Sequence, residues 1–205
     1  PCRAMQENSN RYFIINKPFD MVSQFVSPHD VKLLGDLDFP FPPGIHAVGR
    51  LDINSEGLLI LTTNKKLTNL LFLSQVPHQR TYLVQVNNHV SEQKIQQLRK
   101  GVPIKIKTGV HFTTSPCYVE LITDTRPFCI VDEKLSAYPP FTWLMITITE
   151  GKFRQVRKMI YAIRHKCKRL IRVSIEGLYL GNLKPGEVLE MGEEEIFEKL
   201  QIPLS

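Results

Sequence analysis

At 205 residues, with 42% hydrophobic and 22% charged side chains, the chain can bury a sizeable core in one domain or two closely packed subdomains. No apolar run is long enough to cross a bilayer and the N-terminus lacks the layout of a signal peptide, so no membrane partner and a cytoplasmic location are expected. A net charge of +6 and a pI near 9.2 favour a polyanionic partner.

Residues 1–11 are polar and read as a flexible tail. Tyr12–Ile15 reads as a first strand that stops at Asn16-Lys17-Pro18, because the residue before a proline is pushed out of helix. Residues 28–44 are proline-rich and read as irregular surface chain. Ile45–Val48 is a short strand that delivers the loop Gly49-Arg50-Leu51-Asp52, and Gly57–Thr62 is the strand after it. Asn64 can cap a helix over 65–73, with Leu67, Leu70 and Leu71 on one face.

Arg80–Asn87 alternates, placing Tyr82, Val84 and Val86 on one face of a strand. Ser91 caps a helix that ends at Gly101, with Val90 and Ile95 at the two positions of a hydrophobic staple. Residues 117–122 and 128–132 are strand candidates, and Trp143–Thr149 is another alternating strand. A helix over Arg154–Arg164 would show Arg154, Arg157, Tyr161 and Arg164 on one face and Val156, Met159, Ile160 and Ile163 on the other. Leu170–Ile175 and Glu187–Met191 close the pattern as strands. Strands outnumber helices and short links join many neighbours, which indicates an α+β fold with a mostly antiparallel central sheet.

Charge is unevenly spread. From Lys152 to Arg172 there are nine Lys or Arg and no acid, whereas glutamates crowd the C-terminal end, residues 193–205. A basic segment kept apart from an acidic one fits a phosphate backbone. Cys2, Cys117, Cys129 and Cys167 lack C-x-x-C spacing and read as free thiols. Asp52-x-Asn54-x-Glu56-Gly57 begins like a calcium loop, but Thr63 stands where the bidentate glutamate would be. No histidine spacing suits a metal, and neither a P-loop nor G-x-G-x-x-G occurs. No metal and no nucleotide cofactor are therefore expected. Asp52 and Glu56 together suggest a glycosidase pair, yet both lie on one short loop rather than on opposite walls. A single reactive carboxylate, Asp52, fits better, with Glu56 as a structural residue and Arg157 meeting Asp52 across a cleft.

These stretches resemble the pseudouridine synthases. Gly49–Asp52 with Ser55–Leu59 is similar to that family's central motif, in the form of its RsuA-type ribosomal-RNA branch. Arg80-Thr81-Tyr82-Leu83-Val84 is similar to its K-x-Y strand, with Arg80 in place of lysine. Glu150–Met159 resembles the third motif and Leu170-x-Arg172-x-x-Ile175 the fourth, although Glu176 stands before the glycine. The similarity runs over most of a single catalytic domain at 12–192. Asn16–Asp20, and the eleven residues before the first strand, too few for an S4-type module, resemble the short large-subunit members of that branch.

The resemblance implies isomerisation of uridine to pseudouridine in ribosomal RNA, in 23S large-subunit RNA, by a monomer without cofactor. It implies that Asp52 is the reacting carboxylate, Arg157 its basic partner and Tyr82 the residue against the uracil. Arg50 would fill the space left by the flipped base and Leu170 would line the uracil pocket. Arg80, Lys152, Arg154, Arg164, Lys168, Arg169 and Arg172 would be substrate or phosphate contacts.

Overall fold

Two adjacent strands of the sheet are buried on both faces in a computed structural model, which describes residues 10–73, 76–135 and 138–204. They are β1 (Tyr12–Lys17) and, after β2 (His46–Val48), β3 (Glu56–Thr62). β4 (Arg80–Asn87) leads to α1 (Glu92–Lys100) and a hairpin of β5 (Pro103–Lys107) and β6 (Val110–Thr113). β7 (Tyr118–Ile122) and β8 (Phe141–Ile148) precede α2 (Gln155–Ala162). The chain ends through β9 (Cys167–Ile175), β10 (Leu178–Tyr179), β11 (Val188–Met191) and α3 (Glu193–Leu200). The architecture is α+β, as the sequence indicates.

The main sheet runs β11-β1-β3-β9-β4-β8-β7, with β2 on β3 and β10 on β9. Its pairings are antiparallel except at the seam between β3 and β9, where Glu56 faces Ile171 and Gly57 faces Arg172 in parallel. Strand periodicity sorts the core into layers. Tyr12, Ile14, Leu58 and Ile60 join Leu67, Leu71 and the α3 residues Ile196, Phe197 and Leu200. Phe13, Ile15, Leu59 and Leu61 point the other way, onto Met21, Leu34 and the ring cluster of Phe25, Phe39 and Phe41. Beyond the seam, β4 and β8 pack on Ile95 and Leu98 of α1 and on Val156, Met159 and Ile160 of α2.

Several expectations are corrected. Residues 128–132 form no strand: Phe128 and Cys129 turn back onto Thr125 O, and only a bridge from Cys129 to Gly181 remains. Residues 69–73 wind as a π-type turn rather than the end of an α-helix. The Ser91 hydroxyl makes no capping bond, although its carbonyl accepts from Lys94 and Ile95 and the staple pair Val90 and Ile95 is buried. Arg11 is no free tail residue, since its guanidinium grips Glu190 at 2.7 and 2.8 Å. The β5–β6 hairpin, β10 and α3 went unforeseen. Among the described cysteines, Cys117, Cys129 and Cys167 are free thiols, and Cys2 lies outside the described residues.

Candidate active site

The loop 49–55 is pinned from three sides. Ser23 Oγ accepts from Leu51 N at 3.0 Å and donates to Leu51 O at 2.9 Å, and Asp20 N donates to Ile53 O at 2.9 Å. Arg157 of α2 donates to Asn54 O at 2.6 Å and to Ser55 Oγ at 3.2 Å. Within the loop, Ser55 N closes a turn onto Asp52 O. Gly57 follows with φ +100°, and a Cβ there would meet Arg172 O at 2.3 Å. Only glycine therefore lets β3 approach β9 at the seam.

Opposite stands the turn 150–154. The Gln155 side chain staples it, accepting from Lys152 N at 3.0 Å and donating to Glu150 at 2.7 Å. Glu150 also accepts from the Ser115 N–H at 3.0 Å. This turn leaves Arg154 in the left-handed region, φ 52°, at the foot of α2, and from there its guanidinium donates to Asp52 Oδ2 at 3.1 Å. The two side chains are about one third exposed, 34% and 29%, so the pair is reachable from the cleft.

A cleft of about 450 Å³ opens between the loops. Its lining contains Asp52, Tyr82, Arg50, Arg80, Lys152, Arg154, Leu170 and Arg172, which the sequence scatters over more than 120 positions. Tyr82 faces Arg172 across the β4–β9 pairing, where a bulge between Thr81 and Tyr82 redirects the strand. Arg80 donates to Thr149 O at 2.7 Å and lies 5.5 Å from the Phe72 ring. Lys152 Nζ sits 4.7 Å from the ring of Phe112.

Four expected positions change. Arg157 holds the loop backbone rather than the Asp52 carboxylate, and it does not line the cleft; Arg154 makes the ion pair. Arg164 is exposed and lies outside the cleft. Arg169 is no phosphate contact, because it is locked with Glu56 in a buried bidentate pair, 2.6 and 2.9 Å, 3% and 6% exposed. That pair also removes Glu56 as a second reacting carboxylate. Arg172 is equally buried: Nε donates to Leu58 O at 2.8 Å and Nη2 has no hydrogen-bond partner. Burial lowers its pKa, while the neighbouring Tyr82 raises it.

Ser23 was missed as a support of the loop, and Lys17 as the residue that holds the neighbouring segment 18–21. Lys17 is fully buried and donates to Pro18 O and Met21 O, each at 2.6 Å. Burial pushes its ammonium down to about 8, against the pull of Glu56, Asp52 and Asp20. A lysine of the unfolded chain, near 10.5, holds more protons between those values. The stability owed to this residue therefore rises as pH climbs from about 8 to about 10.5 and is lowest below 8. Lys17→Met is expected to flatten that rise, which is at most about 1.4 kcal/mol per pH unit. Urea midpoints of both proteins across this range check it, and equal pH slopes would refute it.

No cluster of three or more His, Cys, Asp or Glu suited to a metal occurs among the described residues. No described helix is long and apolar enough to cross a membrane.

Comparison with known proteins bears on the same residues. A family profile described as RNA pseudouridylate synthase matches residues 11–162. The chain is 38% identical over 190 residues to the ribosomal large subunit pseudouridine synthase E of Vibrio vulnificus, covering 92% of this chain and 78% of that protein. It is 31% identical over 192 residues to the ribosomal small subunit pseudouridine synthase A of Escherichia coli, covering 93% and 74%. A crystal structure of a pseudouridylate synthase superimposes with a TM-score of 0.72 at 27% identity, over 94% of this chain and 74% of the other.

Proposed function

The chain belongs to the RNA pseudouridylate synthase family, and from that premise we propose that it isomerises a uridine of ribosomal RNA, in the large subunit, acting as a cytoplasmic monomer. The observation that carries the reading is the Asp52–Arg154 pair, reachable from a cleft lined by Tyr82 and Leu170. The 38% identity to a large-subunit enzyme, against 31% to a small-subunit one, supports the choice of subunit.

The reaction breaks N1–C1′, turns the uracil and joins C1′ to C5, while the C5 proton leaves and N1 gains one. No electron or phosphoryl group is transferred. It calls for a carboxylate held in place at the sugar or the ring, which Asp52 supplies. Arg154 orients that carboxylate by a charge-assisted bond. The uridine must leave its stack, at a cost of about a few kcal/mol, to reach the cleft. Arg50, exposed at the mouth, takes the space the base vacates, and Leu170 and Tyr82 enclose the ring.

Arg154→Ala is expected to slow single-turnover conversion at saturating enzyme on the order of a hundredfold. Arg157→Ala should instead strip a donor from Asn54 O and cost about 1–3 kcal/mol of stability. The reverse pattern, with Arg157→Ala slow but fully stable, would return the carboxylate to Arg157. The function itself is tested by mapping pseudouridine in ribosomal RNA of cells lacking this protein. One missing modification in the large subunit, restored by the intact gene, is the expected result, and an unchanged map overturns the reading.

A further inference from the structure

A second concave surface lies outside the catalytic cleft. A groove of about 1040 Å³ runs between the β5–β6 hairpin and the far end of α2. Lys105 and Lys107 of the hairpin form one wall, and Lys158, Arg164 and Lys166 belong to the other. Its lining holds no aspartate or glutamate. Tyr161, on the same wall, is 80% exposed. An exposed ring among five cations is out of place on a solvated face, whereas an aromatic platform flanked by lysines and arginines suits a nucleic-acid strand.

The groove is tied to the catalytic cleft at both walls. α2 begins next to Arg154, the partner of Asp52, and its eight residues span about 12 Å to the groove. Its apolar face, Val156, Met159 and Ile160, is locked in the core, which fixes the opposite face that carries Lys158 and Tyr161. On the hairpin side, Phe112 of β6 carries Lys152 of the catalytic turn over its ring.

Resting on the reading of the substrate as ribosomal RNA, we propose that this groove binds the RNA flanking the target uridine. Lys105, Lys107 and Lys166 contact phosphates, and Tyr161 stacks on one unpaired base. The chemistry favours RNA over a protein partner, because an acidic peptide would leave the Tyr161 face without a stacking partner.

The test uses the full chain and an unmodified transcript of large-subunit ribosomal RNA, with affinity measured at several salt concentrations. Lys105→Ala/Lys107→Ala/Lys166→Ala, all exposed positions, should weaken binding at least tenfold and lower the salt slope by about 2 to 3. Its single-turnover rate should fall less than its affinity. Tyr161→Ala should weaken binding about five- to hundredfold with the salt slope kept. Affinities within twofold of wild type for both variants overturn the proposal, and so does a loss by the triple variant with no change of slope. The substrate reading fails separately: wild-type protein would bind the transcript and form no pseudouridine, while the slopes still report on the groove.

Discussion

Asp52→Asn is expected to abolish pseudouridine formation while RNA binding persists. The amide keeps the shape of the side chain and can still meet Arg154, but it lacks the charge and the nucleophilic oxygen pair. The expected loss is on the order of a thousandfold or more, as for other residues that supply a reacting group. The loop should survive, because Ser23, Asp20 and Arg157 hold it by its backbone or by Ser55 and none of them bonds the Asp52 side chain. Measuring conversion under single turnover, with affinity alongside, separates chemistry from binding. Turnover within tenfold of wild type would remove Asp52 from the reaction.

Glu56→Ala should have the largest effect on stability. It leaves the Arg169 guanidinium, 3% exposed, without its carboxylate at the seam of the sheet. Breaking a buried pair from one side costs about 3–5 kcal/mol, since the remaining charge keeps its desolvation penalty. Replacing both partners, as Glu56→Leu with Arg169→Met, should recover much of that loss, because apolar groups of similar volume carry no such penalty. Urea unfolding of the single and double variants decides it. A loss below about 1 kcal/mol for Glu56→Ala would mean that water reaches the pair and screens it as it screens a surface bridge.

The loop that carries Asp52 could be read from sequence because a glycine-bounded stretch followed by a run of apolar residues reads as a turn into a buried strand. Tyr82 and the apolar face of α2 followed from strand and helix periods. The exchange of Arg154 and Arg157 could not be read. Three residues apart, they share a helix face, and which one meets the carboxylate depends on the left-handed turn at Arg154, set by the Gln155 staple. Arg169 and Arg172 are expected as phosphate or substrate contacts from the resemblance, and nothing in a segment this basic marks them as buried. β9 is buried on both faces from Arg169 onward, so its charges lie inside and need partners supplied by β3. Pro103–Lys107 alternates plainly enough to have been read as a strand. α3 is hard to see in the sequence because its first turn is all glutamate and its apolar stripe is only Ile196, Phe197 and Leu200.

The parallel seam between β3 and β9 also sets a timetable. Glu56 waits 113 residues for Arg169, and Gly57 waits longer for Arg172. At a synthesis rate of 5–20 residues per second, about 6 to 23 seconds separate the emergence of the Asp52 loop from that of the strand that completes its support. For most of that interval the loop also lacks Arg157, the Asp52 carboxylate lacks Arg154, and Glu56 has no Arg169 to pair with. Completion of the cleft is thus gated by segments made long after the Asp52 loop, and a chain released before β9 would carry Asp52 and still lack Leu170 and Arg172 of its lining.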